Sequence, residues 1–322
     1  MKFITYRITG IFLCLLLPCL QSSVFAASTH EVPEIVTTVS PITNIVQNIG
    51  GKHIKVTGIV PDGTDSHTFE PIPSDIKILR AADMIIVNGL DLELPTLNLA
   101  RKVKRPETSI LQLGNLALNK ADWQYDFSFP REHGHPNPHL WLNIELVMRY
   151  ADIIKDNLIM LDPANKTSYQ ENTATYLAKL KRLDQAIFNC IETIPANNRK
   201  LVTYHDSFAY FAPRYGMTVI AAIQPSDFSE PGPQEVISII KQIRETGVPA
   251  IFGSEVFPSK VMKQIAREAK AKFIDQLSDD ELPAPPNNSF IGMMAGNMVI
   301  MTEALGGNST CMADIDASNI AF

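Results

Sequence analysis

The chain has 322 residues, 28 of them basic and 34 acidic, for a net charge of −6 with histidines neutral. That length exceeds what one small core usually organises, so two lobes are expected. The acidic balance argues against a nucleic-acid or anionic-membrane partner.

The first element is an export signal over residues 1–26. Lys2 and Arg7 are its only charges, residues 8–20 form an apolar core too short to span a bilayer, and Val24-Phe25-Ala26 supplies a small-x-small cleavage site. Leu13 and Pro18 precede Cys14 and Cys19, where a lipoprotein signal wants a small residue, so lipidation is the weaker reading. A mature chain from about Ala27 loses Lys2 and Arg7, leaving 26 basic residues against 34 acidic and a net charge of −8. It is expected to be a soluble protein outside the cytoplasm, in bacterial terms periplasmic. Its two cysteines, Cys190 and Cys311, stand in a compartment that permits a bridge, and the sequence is equally compatible with a disulfide and with two buried thiols.

From residue 34, short β-branched runs at 35–39, 54–60, 84–87 and 109–113 alternate with helical patterns such as 42–49 and 74–82. Strands alternating with helices predict a mainly parallel sheet covered on both faces. The rhythm returns after Lys200, with strand runs at 201–203, 218–222, 250–252 and 272–274 and helical stretches at 208–215, 233–245 and 259–269. The fold class is therefore α/β: two similar lobes, at 27–161 and 196–322, with a connector between them. That connector, 162–195, carries the strongest helical pattern in the chain. Asp162 caps its first turn, Pro163 suits the first helical position, and Pro195 closes it. Tyr169, Thr173, Tyr176, Leu180, Leu183, Ile187, Cys190 and Ile194 recur at steps of four and three, which makes one apolar stripe on one long, rigid helix.

Three histidines stand at element ends. His67 lies in the loop after the 54–60 run, His139 precedes a helix beginning near Asn143, and His205 follows the 201–203 run. Taken alone, each histidine is more often a surface or satisfied core residue than a ligand. In open α/β sheets, however, ligands bind outside the carboxyl ends of the strands, and three such histidines in two lobes point to a shared metal site.

The segments Thr64-Asp65-Ser66-His67-Thr68-Phe69-Glu70-Pro71, Asn137-Pro138-His139-Leu140-Trp141-Leu142 and Val202-Thr203-Tyr204-His205-Asp206-Ser207-Phe208-Ala209-Tyr210-Phe211 resemble the three metal-ligand motifs of the zinc- and manganese-binding solute receptors of bacterial ABC importers. The resemblance extends over the mature chain, including Ala82-Asp83-Met84-Ile85-Ile86-Val87-Asn88-Gly89. It implies two lobes joined by one long helix, one metal ion held between them, and delivery to a membrane permease, with the receptor itself a monomer. The family's fourth ligand is usually an acidic residue in a Ser-Asp-x-Leu-like segment. In Leu277-Ser278-Asp279-Asp280-Glu281-Leu282, counting back from Leu282 selects Asp280, with Asp279 as the alternative register. The sequence departs from the pattern twice. Asn137 replaces the aspartate common before Pro-His, which implies a weakened contact behind the ligand. Of the histidine-rich loop of many zinc receptors only Glu132-His133-Gly134-His135 remains, readable as a weak capture tract or as a plain surface loop.

Three imidazoles and one carboxylate suit Zn²⁺, and the family places glutamate rather than a third histidine in its manganese receptors. Zinc is therefore the first expectation, and manganese or ferrous iron the second. A zinc-dependent hydrolase is the competing class. It needs an open coordination position and a general base, and the chain has no His-Glu-x-x-His helix and no glycine elbow around Ser207. The expectation is a receptor without enzymatic activity.

Overall fold

The computed structural model describes Met1 and residues 32–254 and 260–320; the segment 1–26, expected from the sequence to be an export signal, lies outside the described residues, Met1 apart. Two four-stranded parallel sheets carry the fold. The first is ordered β2-β1-β3-β4, with β1 Glu34–Thr37, β2 Lys55–Gly58, β3 Met84–Val87 and β4 Ser109–Gln112. The second is ordered β6-β5-β7-β8, with β5 Lys200–Thr203, β6 Thr218–Ala222, β7 Ala250–Ser254 and β8 Lys272–Leu277. The two orders are the same, and in each sheet the chain reverses direction of winding around the first strand. All pairings are parallel. Parallel strands need both faces covered, and the central strands show it: every residue of β3 and of β7 is buried.

Helices α1 Ser40–Gly50, α2 Asp75–Ala81, α3 Leu94–Val103, α4 Leu113–Ala117 and α5 Ile144–Leu161 belong with the first sheet. Asn143 caps α5, its side chain accepting from the Glu145 N–H at 3.0 Å. With the second sheet belong α7 Phe211–Tyr215, α8 Pro233–Thr246, α9 Lys260–Ala269 and α10 Phe290–Ala304. Between them runs the long helix α6, Lys166–Thr193. At 28 residues it is about 42 Å long. No helix among the described residues is long and apolar enough to cross a membrane.

The start of α6 differs from the sequence expectation. Asp162 ends α5, and a short 3-10 turn, Pro163–Asn165, separates the helices. Its carboxylate does not cap the backbone of α6; it accepts from the Tyr169 hydroxyl and from Asn165 Nδ2, both at 2.7 Å. The buried side chain thus ties the turn to the helix one and a half turns further on. The apolar stripe is as read: all eight of its residues are buried. It packs into one continuous core with α1, α5 and α10, so hydrophobic contact runs from one lobe to the other along the connector. Truncating one such residue, Leu180→Ala for example, costs about 2–5 kcal/mol.

Two further ties hold this core. Cys190 on α6 and Cys311, in the 3-10 turn Ser309–Met312, form a disulfide. Beyond it the tail returns across the molecule: Lys179 on α6 donates to the Ser318 carbonyl at 2.7 Å, and Asn319 Oδ1 accepts from Asn44 and Asn48 of α1, both at 3.0 Å. Asn44 in turn accepts from the N–H of Phe290, the first residue of α10, at 2.9 Å. The tail is a strap that touches the connector and the first lobe and meets the helix of the second.

Candidate metal centre

The site lies where the carboxyl ends of the two sheets face one another. His67 comes from the loop between β2 and α2, where Asp65 Oδ1 accepts the His67 backbone N–H at 2.9 Å and so stiffens the turn. His139 sits just before the 3-10 turn Leu140–Leu142 that leads into α5. His205 follows β5, beside the switch point of the second sheet. Asp280 follows β8. One ligand atom from each of the four lies within 4.8 Å of those of the others, the only such group of histidine, cysteine and acidic side chains found among the described residues.

The Nε2 atoms of His67 and His139, and of His67 and His205, are 3.2 Å apart, and those of His139 and His205 are 2.8 Å apart. Four ligands around zinc at about 2.05 Å would stand about 3.3 Å from one another, so the nitrogens are spaced for one small ion. The carboxylate approaches from the fourth side, Oδ1 being 3.7 Å from His139 Nε2 and Oδ2 4.0 Å from His205 Nε2.

The far side of two rings fixes the tautomer. His139 Nδ1 lies 2.7 Å from the Asn137 Oδ1, and His205 Nδ1 2.8 Å from the Gln224 Oε1. A carbonyl oxygen can only accept, so both Nδ1 atoms carry hydrogen and both Nε2 lone pairs point at the shared centre. Converging lone pairs repel unless a proton or a cation lies between them. Burial, together with the neighbouring His205, holds His67 and His139 well below the ordinary histidine range. Burial would lower His205 too, but the Asp280 and Asp279 carboxylates outweigh it and hold that ring above its ordinary value. Burial, opposed by His205, pushes Asp280 up to about 7. His205 and Asp280 are thus the two members of the group whose proton affinity the site raises.

Asp279, the alternative register, points elsewhere. Its carboxylate accepts from the hydroxyls of Ser207 at 2.5 Å and Ser254 at 2.7 Å, and its main-chain carbonyl accepts from Trp141 Nε1 at 2.7 Å. Ser207 is thereby taken up by Asp279 and not by His205, so the pair has no nucleophile–base geometry. Glu70 is exposed, whereas Asp206 is buried and accepts the Ser128 N–H at 2.8 Å. Burial holds both Asp206 and its neighbour Asp126 above the ordinary carboxylate range. His133 and His135 are exposed and are not members of the four-residue group, but they line the same cavity as His67; His135 Nδ1 lies 2.9 Å from Asp91 Oδ2.

Several residues at the site carry no sequence signal of their own. Ser66 donates from its hydroxyl to Asp280 Oδ2 at 2.9 Å and so joins the lobes across the ligands. Phe228 stacks on His67, ring centroids 4.8 Å apart and planes 16° from parallel, with a left-handed φ of 59°. A cavity of ≈ 150 Å³ bounded by Phe129, Phe228, Leu90 and Pro138 reaches His67 alone of the four.

A family model described as zinc-uptake complex component A, periplasmic, matches residues 35–304. The chain belongs to this ZnuA family. Among its relatives is the manganese ABC transporter substrate-binding lipoprotein PsaA of Streptococcus pneumoniae, 29% identical over 90% of this chain and 94% of its own length. Another is the iron-binding protein YfeA of Yersinia pestis, 31% identical over 81% of this chain and 83% of its own length. The fold matches the periplasmic zinc binding protein TroA from Treponema pallidum with a TM-score of 0.77, at 24% identity, over 85% of this chain and 99% of that one. ZnuA-family members are substrate-binding proteins, and two parallel-sheet lobes on a long helix are the architecture this chain shares with them.

Proposed function

We propose that the protein is an exported receptor that captures one divalent transition-metal ion between its lobes and delivers it to the membrane permease of an ABC importer. The ligands are His67 and His139 from residues 27–161 and His205 and Asp280 from residues 196–322, with 162–195 as the connector. The observation that carries this reading is the convergence of three Nε2 atoms and one carboxylate, drawn from both lobes, at spacings that suit a four-coordinate ion. Zn²⁺ is the first choice, because three neutral nitrogens and one oxygen are its usual company; Mn²⁺ and Fe²⁺, named for two relatives, come second. The ion is cargo, and no reaction is performed on it. The receptor acts as a monomer, and its signal is cleaved near Ala26, with a lipoprotein as the second reading.

Calorimetric titration of metal-free protein with Zn²⁺ should give one equivalent of saturable binding. Replacing His67, His139 or His205 by alanine should weaken it far more than replacing His133 or His135. Absence of a saturable site, more than two equivalents, or equal effects at all five histidines would overturn the assignment. The mass of the exported protein reads the processing.

A further inference from the structure

Asn137 occupies the position where the resembling motifs carry aspartate, and its surroundings call for an amide. The residue is fully buried. Its Oδ1 accepts two hydrogens from the same neighbour, the His139 backbone N–H at 3.1 Å and the His139 ring Nδ1 at 2.7 Å. Its Nδ2 donates the other way, to the main-chain carbonyl of Asp206 at 2.6 Å and to the Asp126 carboxylate oxygens at 3.2 and 3.4 Å. The amide cannot be turned over, because a backbone N–H can only donate and would then meet the NH₂ group. Both ends of the side chain are therefore committed, one to the segment that carries His139 and one to the residue that follows His205.

We infer that Asn137 is a positioning residue that locks the His139 segment of one lobe to the His205 segment of the other, and that it does so only as an amide. This rests on the receptor reading given above. A carboxylate at 137 would keep the contact to His139 and would strengthen it, since carboxylate partners raise the basicity of ligating imidazoles. On its other side it would set oxygen against the Asp206 main-chain carbonyl, now 2.6 Å from the amide nitrogen and unable to donate, and beside the Asp126 carboxyl, so the hydrogen that Asn137 supplies there is lost. The two effects have opposite signs, and the buried side has more contacts to lose.

The test is Zn²⁺ affinity, by competition with a chelator, in wild type, Asn137→Asp, Asn137→Ala and the same two substitutions combined with Asp126→Asn. Asn137→Ala should weaken binding roughly tenfold. Asn137→Asp should be weaker still than Asn137→Ala. Asp126→Asn, which returns a donor to the pocket, should recover about tenfold in the Asn137→Asp background and change the Asn137→Ala background by less than about threefold; a purely structural role would give the same change in both. Binding by Asn137→Asp equal to or tighter than Asn137→Ala overturns the inference, as does equal action of Asp126→Asn in the two backgrounds. Should Asn137→Asp fail to fold by its metal-free melt, a folded, metal-binding double variant supports the inference and an unfolded one overturns it. A wild type without a saturable site sinks the receptor reading and this inference with it, whereas a saturable wild type with a tight Asn137→Asp sinks this inference alone.

Discussion

The disulfide between Cys190 and Cys311 closes a loop spanning 121 residues, and its removal makes a quantitative test of how the second lobe is held to the connector. Cross-linking residues that far apart removes conformational freedom mainly from the unfolded chain, which the chain-entropy relation puts at about 5 kcal/mol. For a protein of roughly 290 ordered residues the entropy of unfolding near the midpoint is about 0.6 kcal/mol/K, so the bridge corresponds to about 8 °C in melting temperature. The measurement is differential scanning calorimetry of the metal-free Cys190→Ala/Cys311→Ala variant beside the oxidised and the reduced wild type. Reduced wild type and the double variant should both melt well below the oxidised protein. Neither sulfur belongs to the four-residue ligand group, so Zn²⁺ affinity should stay within about threefold. A drop of less than about 3 °C would refute the loop-closure argument and mean that α6, α10 and the tail are already held together in the unfolded ensemble or by packing alone.

Metal affinity should fall as pH falls below about 7, because Asp280 and His205, both held above their ordinary values, must lose protons before they can ligate. His67 and His139, held below theirs, stay unprotonated through this window; competition titrations between pH 5.5 and 8 should show a loss of about tenfold to a hundredfold per pH unit on the acid side, and a flat profile would contradict it. Asp280→Ala should loosen Zn²⁺ binding far more than Asp279→Ala, whose main cost, about 1–3 kcal/mol of stability, comes from stranding the Ser207 and Ser254 hydroxyls; the reverse ranking of affinities would shift the ligand register by one residue. Phe228→Gly should relieve the left-handed backbone while uncovering His67, leaving stability unchanged or raised and speeding metal release in a stopped-flow chelator trap; an unchanged release rate would show that the ring is no cover. Scattering profiles with and without metal should nearly superimpose, and a wide-open metal-free form would defeat the rigid-connector argument.

The three histidines were legible because each lies in a short segment with its own residue pattern at the end of a strand or the start of a helix, where local sequence fixes direction. Asp280 came from counting along one acidic loop; what separates it from Asp279 is tertiary, since Ser207, Ser254 and Trp141 from distant segments claim the latter. Gln224 acts through one hydrogen bond to His205 within its own lobe and Ser66 through one to Asp280 across the cleft, and such single contacts leave no periodic trace. Helix α10 is hidden in the sequence because it is apolar nearly all round, so it has no polar face to reveal a period. The break at 163–165 has no sequence signal for another reason: Asp162 looks like a helix cap, and only folding gives its carboxylate to Tyr169. The disulfide joins residues whose separation says nothing about proximity.

The strap formed by the tail has a consequence for whatever membrane complex receives the ion. A hinge between two domains normally advertises occupancy by a change of outline, and a docking partner reads that outline. Here Asn319 and Lys179 stitch the first lobe, the connector and the tail together, next to a core that does not stop at the lobe boundary. Loaded and empty forms are then expected to present nearly the same silhouette. Telling one from the other falls to a few side chains beside the site, among them the half-buried Phe228 over His67. Selective docking of the filled receptor becomes a matter of local surface chemistry, and an empty receptor is a competitor for the same landing site.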